Sequence, residues 1–176
     1  MHLRPVREVE YAEVVSLANL AYRGTGELPE NAASWNVETG LLAGDRLNET
    51  LLREDLDKPG TELLVWHDDG GMLMGTVLLR PKGDGLWYLG LLMVRPGGQN
   101  RGAGKELLAT AEDVVRGHLG KRIQLTVLAV RQALIGWYQR RGYRETGVTE
   151  AFPYGDDRFG KPMRDDLYFV VLEKTL

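Results

Sequence analysis

Hydrophobic side chains change their spacing abruptly in the middle of this chain. Residues 86–94, Leu-Trp-Tyr-Leu-Gly-Leu-Leu-Met-Val, are apolar almost without interruption and rich in aromatic and branched types. That composition predicts a buried strand, which stops at Pro96. After a glycine-rich stretch, Leu107, Leu108, Ala111, Val114, Val115 and Leu119 recur at helical intervals, with Glu106, Glu112, Asp113 and Arg116 on the opposite face. Gly117 and Gly120 end that helix. The unit reads as strand, glycine-rich turn, helix.

The same two periods organise the rest. Residues 2–7 alternate weakly and predict a first strand, with Pro5 suiting an edge. Tyr11, Val14, Val15, Leu17, Ala18, Leu20 and Ala21 predict a helix over 8–22, closed by Gly24. The pattern breaks over 24–44, a turn-rich segment that reads as a functional loop or an irregular helix pair. Leu47, Leu51, Leu52 and Leu56 then predict a helix over 47–56. Residues 62–67 and 72–80 read as a hairpin around Asp68-Asp69-Gly70-Gly71, and 81–85 turn the chain into the strand at 86. Beyond the glycine-led helix, 123–129 predict a parallel strand reached by a right-handed crossover. A helix over 133–141 and strands over 143–148 and 167–172 complete the chain, with a charged, turn-rich segment at 150–166.

At 176 residues without an internal repeat or linker, 1–176 reads as a single domain. A content of 43% hydrophobic and 27% charged residues is that of a soluble globular protein, and a formal net charge of −3 argues against general nucleic-acid binding. No apolar run reaches membrane-spanning length and the N-terminus lacks a signal-like stretch, so the expectation is a cytoplasmic protein with no membrane partner. The absence of cysteine removes disulfides, thiolate zinc sites and a cysteine nucleophile. Ser16 and Ser34 are the only serines, and neither lies in a nucleophile-elbow context. His2, His67 and His118 have no metal-ligand spacing, so no metal site is expected.

The chemistry concentrates in the glycine-rich turn. A helix that opens at Gly102 leaves its first N–H groups unpaired and carries partial positive charge there, so an anion at 102–105 is bound by backbone. Taken alone, the glycines are equally explained by a tight turn and close packing. A nucleotide P-loop does not fit, because Gln99 stands in the place of its first glycine and Glu106 in that of its metal-binding hydroxyl. Nor does the strand at 123–130, ending in Ala-Val-Arg, supply the acidic residue of a dinucleotide fingerprint. Gln99-Asn100-Arg101-Gly102-Ala103-Gly104 instead resembles the acyl-CoA diphosphate loop of the GCN5-related N-acetyltransferases, Gln/Arg-x-x-Gly-x-Gly/Ala, at every defined position. Leu134 to Tyr143 is similar to a second signature of that family, Ala-x-x-x-Tyr-x-x-x-Gly-Phe/Tyr. The order of elements agrees over most of the chain and is weakest over 24–56.

This resemblance implies an α/β fold with a twisted, mainly antiparallel sheet, a central parallel strand pair and flanking helices. It implies acetyl-CoA as cosubstrate and direct transfer of its acetyl group to a primary amine, with Tyr138 as the general acid that protonates the leaving thiolate. Leu92, Met93 and Val94 would meet the pantetheine arm as an added strand, with a backbone N–H near Met93 for the oxyanion, and the loop from Gln99 to Lys105 would take the diphosphate. Arg131 replaces an asparagine common in the family, and its guanidinium would contact CoA, cap a carbonyl or face solvent. The strand at 86–94 carries no carboxylate where many members place one. A general base would come from Glu27, Glu30, Glu38, Asp165 or Asp166, or from a water relay. Tyr22, Trp35, Phe152, Tyr154 and Phe159 lie in or beside the irregular segments, which line the acceptor cleft in the family. Glu27, Trp35, Glu38 and Tyr154 are the acceptor-side candidates. A non-catalytic acyl-CoA-binding domain and a nucleotide- or dinucleotide-dependent protein are the rival readings. A homodimer through the exposed meander or the last strands is compatible with either half of the pattern.

Overall fold

A computed structural model describes residues 1–24, 38, 40–97, 102–156 and 160–176. In chain order the elements are β1 (Arg4–Pro5), α1 (Tyr11–Arg23), β2 (Leu42–Ala43), α2 (Glu49–Leu56), β3 (Glu62–His67), β4 (Leu73–Gly83) and β5 (Leu86–Val94). They continue with α3 (Ala103–Gly117), β6 (Arg122–Leu128), α4 (Gln132–Gln139), β7 (Arg144–Ala151), β8 (Lys161–Pro162) and β9 (Tyr168–Thr175). Seven strands form one sheet in the order β1-β3-β4-β5-β6-β9-β7, parallel only between β5 and β6. This is the mixed, mainly antiparallel sheet expected above. No helix among the described residues is long and apolar enough to cross a membrane.

Period-two alternation sorts the central strands onto two faces. Leu64, Val77, Leu79 and Leu89 turn to the face covered by Leu107, Leu108, Ala111 and Val115 of α3. Leu63, Val65, Leu78 and Met93 turn to the other, covered by Val14, Leu17, Ala18 and Ala21 of α1 and Leu52 of α2. Val14, Leu17 and Ala18 of α1, Leu52 of α2 and the Leu107–Val115 stripe of α3 are buried as their spacing marked out. Leu119, however, lies past the end of α3 and is 84% exposed, and Glu112, expected on the polar face, is buried and accepts from Tyr143 and Lys174. Asn48 caps α2, its side chain accepting from the Leu51 amide at 2.9 Å.

Several boundaries differ from the sequence reading for identifiable reasons. The first strand is only Arg4–Pro5, and a 3-10 turn at Glu8–Glu10 precedes α1. The second strand of the hairpin runs through Pro81 to Gly83 instead of stopping at Arg80. β3 pairs with β4 only as far as Leu79, so Pro81, in register with Trp87 of β5, lies where β4 has a partner on one edge alone. β7 extends to Ala151 across a register shift between Glu145 and Thr149. β2 and β8 pair with each other outside the main sheet and tie the segment after α1 to the one before β9. Two-residue strands carry no periodicity to detect.

The Glu8–Glu10 turn is pinned by an ionic knot. Buried Glu10 accepts from Arg4 at 2.5 and 2.9 Å, from the Arg7 amide at 2.8 Å and from the Arg7 guanidinium at 2.9 Å. The Arg4 guanidinium, in spite of partial burial, holds the Glu10 carboxyl well below the usual carboxylate range. A group with a depressed folded-state value stabilises above its unfolded value and ceases to do so as pH falls. Glu10→Gln is therefore expected to cost about 2 kcal/mol in neutral urea titrations, with the gap to the parent narrowing as pH drops below the ordinary carboxylate range.

Candidate active site

The parallel pair that the crossover creates is short. β5 and β6 pair only through Leu86, Trp87 and Tyr88 against Arg122, Ile123 and Gln124, and beyond them the ladder ends. On its other edge β5 carries a bulge: Leu78 faces Gly90 and Thr76 faces Met93, so Val77 alone spans Leu91 and Leu92. Leu91 adopts φ 45°, rare for a branched residue. Its carbonyl is held by the buried Thr76 hydroxyl, which donates to it at 2.8 Å. The bulge re-aims β5 where β6 leaves it, and a cavity of about 110 Å³ opens between Leu89–Leu92 and Leu125–Leu128.

Three phenols border that cavity: Tyr22 from the end of α1, Tyr88 from β5 and Tyr138 from α4. Tyr138 is only 6% exposed, and its ring makes edge contacts with Trp137 at 4.9 Å and Tyr143 at 5.5 Å. Its hydroxyl makes no hydrogen bond to a described residue. Burial pushes the Tyr138 phenol far above its ordinary value of 10, with Tyr22 adding to the shift and Arg131 opposing it. Burial also raises Tyr22 and Tyr88, each opposed first by Arg46. The Tyr88 ring lies across Gly90, where a Cβ would stand 2.8 Å from Tyr88 Cε1. Glycine at that position is what lets the ring lie there.

The charged wall is as specific. Buried Glu38 accepts from Arg23 and faces Arg131 at 3.8 Å, while its amide donates to the Tyr22 carbonyl at 2.9 Å. Arg131 precedes α4, and its carbonyl accepts the amides of Leu134 and Ile135 at 3.0 Å. Arg46 stacks on the Tyr22 ring at 5.1 Å. Around the described part of this chamber, two guanidiniums thus engage its single carboxylate.

The glycine turn supplies a second element. Gly102 precedes α3 in the left-handed region, φ 80° and ψ 5°, and its carbonyl accepts the amides of Lys105 and Glu106 at 2.9 and 3.0 Å. The amides of Ala103 and Gly104, both residues buried, meet no acceptor among the described residues. Unpaired N–H groups at a helix start are a cradle for an anion. A diphosphate fits these donors, and an extended amide chain fits the gap beside β5, so the residues present suit a CoA thioester.

The candidates from the sequence divide accordingly. Tyr138, Arg131, Glu38 and Leu92 border the chamber. Met93 and Val94 follow the bulge in β5, their side chains fully buried. Gly102, Ala103 and Gly104 form the start of α3. Lys105 is exposed and faces Arg140, Arg141 and Lys174 across a separate cavity of about 210 Å³. Gln99, Asn100, Arg101, Glu27, Glu30, Trp35 and Phe159 lie outside the described residues. Tyr154 is 45% exposed and away from the chamber, its hydroxyl accepting from the Leu167 amide at 2.7 Å. Arg46 and Tyr88 were not singled out from the sequence. The signal for Tyr88 is its place two residues before Gly90, on one face of an otherwise apolar strand.

Comparison with known proteins agrees with this fold. A sequence model described as the acetyltransferase (GNAT) family matches residues 29–143. No curated protein matches the chain. Among solved structures, a ribosomal-protein-alanine N-acetyltransferase from Brucella melitensis superposes with a TM-score of 0.69 at 16% identity, covering 100% of both chains. A GNAT family acetyltransferase from Elizabethkingia anophelis with acetyl-CoA bound gives 0.66 at 17% identity, covering 99% of this chain and 97% of that one. A spermidine N-acetyltransferase chimera from Vibrio cholerae and hSSAT gives 0.66 at 16% identity, covering 99% and 96%.

Proposed function

Because the chain belongs to the acetyltransferase (GNAT) family, we propose that it transfers the acetyl group of acetyl-CoA directly to a primary amine, with Tyr138 as general acid. When bound, acetyl-CoA supplies an acyl group activated as a thioester. In this reading the amides of Ala103 and Gly104 hold the diphosphate and the Leu92–Val94 stretch meets the pantetheine arm. The Met93 amide, just past the bulge, is assigned to the oxyanion, an interaction worth about 3 kcal/mol when well aimed. The Tyr138 hydroxyl donates to the leaving sulfur. Burial keeps its proton in place until then, and Arg131 eases its release.

The incoming amine has to be uncharged to attack. Glu38 is engaged by Arg23 and Arg131, so it orders the wall instead of serving as the base. Arg46 and Arg131 disfavour an ammonium between them, which lets the amine lose its proton to water without a dedicated carboxylate. The observation that carries the proposal is a buried phenol with no hydrogen bond to a described residue, facing the gap where β5 and β6 part.

A direct test compares thermal stabilisation by CoA, acetyl-CoA, ATP and NAD, followed by thiol release from acetyl-CoA with a panel of amines. CoA and acetyl-CoA are expected to stabilise alone, by about 2.7 kcal/mol at 100 times the dissociation constant, and some amine is expected to release thiol. Stabilisation by ATP or NAD in place of CoA would defeat the proposal, and CoA binding without thiol release would reduce it to a binding domain.

A further inference from the structure

A second cavity, of about 400 Å³, adjoins the chamber that holds Tyr138 and lies between α2 and the sheet. The two share Tyr88, Gly90 and Leu91 and, among the described charged residues, Arg46 alone. This arginine is held in place. The Asn19 side chain accepts from the Arg46 amide at 2.6 Å and from the Leu47 amide at 3.2 Å, and donates to the Leu47 carbonyl at 3.0 Å. The guanidinium lies on the Tyr22 ring and is half-buried.

The neighbouring charges are matched and this one is not. In the chamber, Glu38 is engaged by Arg23 and Arg131. In the outer cavity, Asp55 pairs with Lys58 at 2.5 Å and with Arg80 at 3.5 Å. Among the described residues Arg46 faces no carboxylate within ion-pair distance. A half-buried guanidinium with only a ring beneath it leaves its planar fork of donors open, and that fork matches a carboxylate. The position is remote from the helix start assigned to the diphosphate, since neither cavity is lined by the first turn of α3.

We propose that the acceptor is an amine that also carries a carboxylate, and that Arg46 holds this carboxylate at the junction of the two cavities. This rests on the transferase reading above and names the acceptor class for it. The amine nitrogen forms its bond to the acetyl carbon as the carbon–sulfur bond breaks. The ammonium loses one proton to water before attack and the nitrogen a second as the tetrahedral intermediate collapses, while the sulfur gains one from Tyr138, which is reprotonated by solvent. Arg46 makes and breaks no bond; it determines specificity. A polycation is disfavoured by Arg46 and Arg131 facing the chamber.

The test measures thiol release at saturating acetyl-CoA for the standard α-amino acids, β-alanine and γ-aminobutyrate, each paired with its primary amide, and for spermidine. Calorimetry reports acetyl-CoA binding separately. At least one carboxylate-bearing amine is expected to exceed its amide by roughly 10-fold or more in kcat/KM. Arg46→Gln is expected to erase that advantage in kcat/KM of acid over amide, with acetyl-CoA affinity and melting temperature close to the parent's, and Arg46→Lys to restore part of it. Preference for an amide or for spermidine overturns the proposal, as does a preference that survives Arg46→Gln. A protein that binds acetyl-CoA yet uses no member of the carboxylate series overturns it as well, leaving the cofactor site standing. Failure to bind acetyl-CoA at all defeats the transferase reading and this inference with it.

Discussion

Replacing Tyr138 by phenylalanine is expected to lower kcat by roughly 10²- to 10⁴-fold while acetyl-CoA affinity stays within about 2-fold. The substitution is well suited to isolating chemistry. A phenyl ring keeps the edge contacts to Trp137 at 4.9 Å and to Tyr143 at 5.5 Å, so packing is retained. The hydroxyl makes no hydrogen bond to a described residue, so its removal strands no partner there. What is lost is the proton donor facing the leaving sulfur. Steady-state turnover at saturating substrates, with calorimetry for acetyl-CoA, checks both halves. The parent's pH profile gives a second constraint. Burial holds this phenol well above its ordinary value of 10, so no falling limb of kcat from Tyr138 is expected up to pH 10. Unchanged turnover in the phenylalanine variant would remove Tyr138 from the mechanism.

The parts of this site that sequence reveals are those built by local rules. The helical stripe from Leu107 to Val115, the strand stop before Pro96 and the helix start at Gly102 are each dictated within a few residues, and the structure places all three as expected. The bulge at Leu91 is different in kind. No glycine or asparagine occupies the positive-φ position, and the conformation is held by Thr76 on the neighbouring strand. Its cause lies in tertiary pairing, which no local pattern carries. The assembly of the chamber wall is of the same kind. Tyr22 and Glu38 are cleft candidates in the sequence, but Arg46 reads only as a residue before a helix, and no spacing says that the three meet. Tertiary contacts bring them together, among them the hydrogen bonds from Glu38 to Tyr22 and from Arg46 to Asn19 and the stacking of Arg46 on the Tyr22 ring. Of the aromatics expected there, Tyr22 borders the chamber, Phe152 and Tyr154 do not, and Trp35 and Phe159 lie outside the described residues; Tyr88, Tyr138 and Phe169 complete the described part of the wall. Composition identifies a need for aromatics, whereas topology selects which ones meet.

The converse of the Tyr138 result is expected at the helix start. Gly102→Val should weaken acetyl-CoA binding by roughly 10- to 100-fold, the equivalent of 1–3 kcal/mol of strain at φ 80°, and leave kcat at saturation within about 3-fold. Apart from its chain neighbours, no atom of the described residues lies within 4 Å of the position a Cβ would take, so the variant introduces no clash with them. A branched residue nevertheless resists the left-handed region. If the turn relaxes, the amides of Ala103 and Gly104 swing away from the anion they are assigned to hold. If it does not, the new side chain stands beside the incoming phosphates. Acetyl-pantetheine, a thioester without the diphosphate, separates these effects from general damage to α3. Gly102→Val should match the parent with that truncated substrate and fall behind only with acetyl-CoA, whereas Tyr138→Phe should fail with both. Equal losses on the two thioesters would mean that the valine damages the helix itself. An unchanged acetyl-CoA affinity would mean that the diphosphate is held elsewhere, because a ligand gripped by backbone amides at this helix start has to register a change in the residue that aims them.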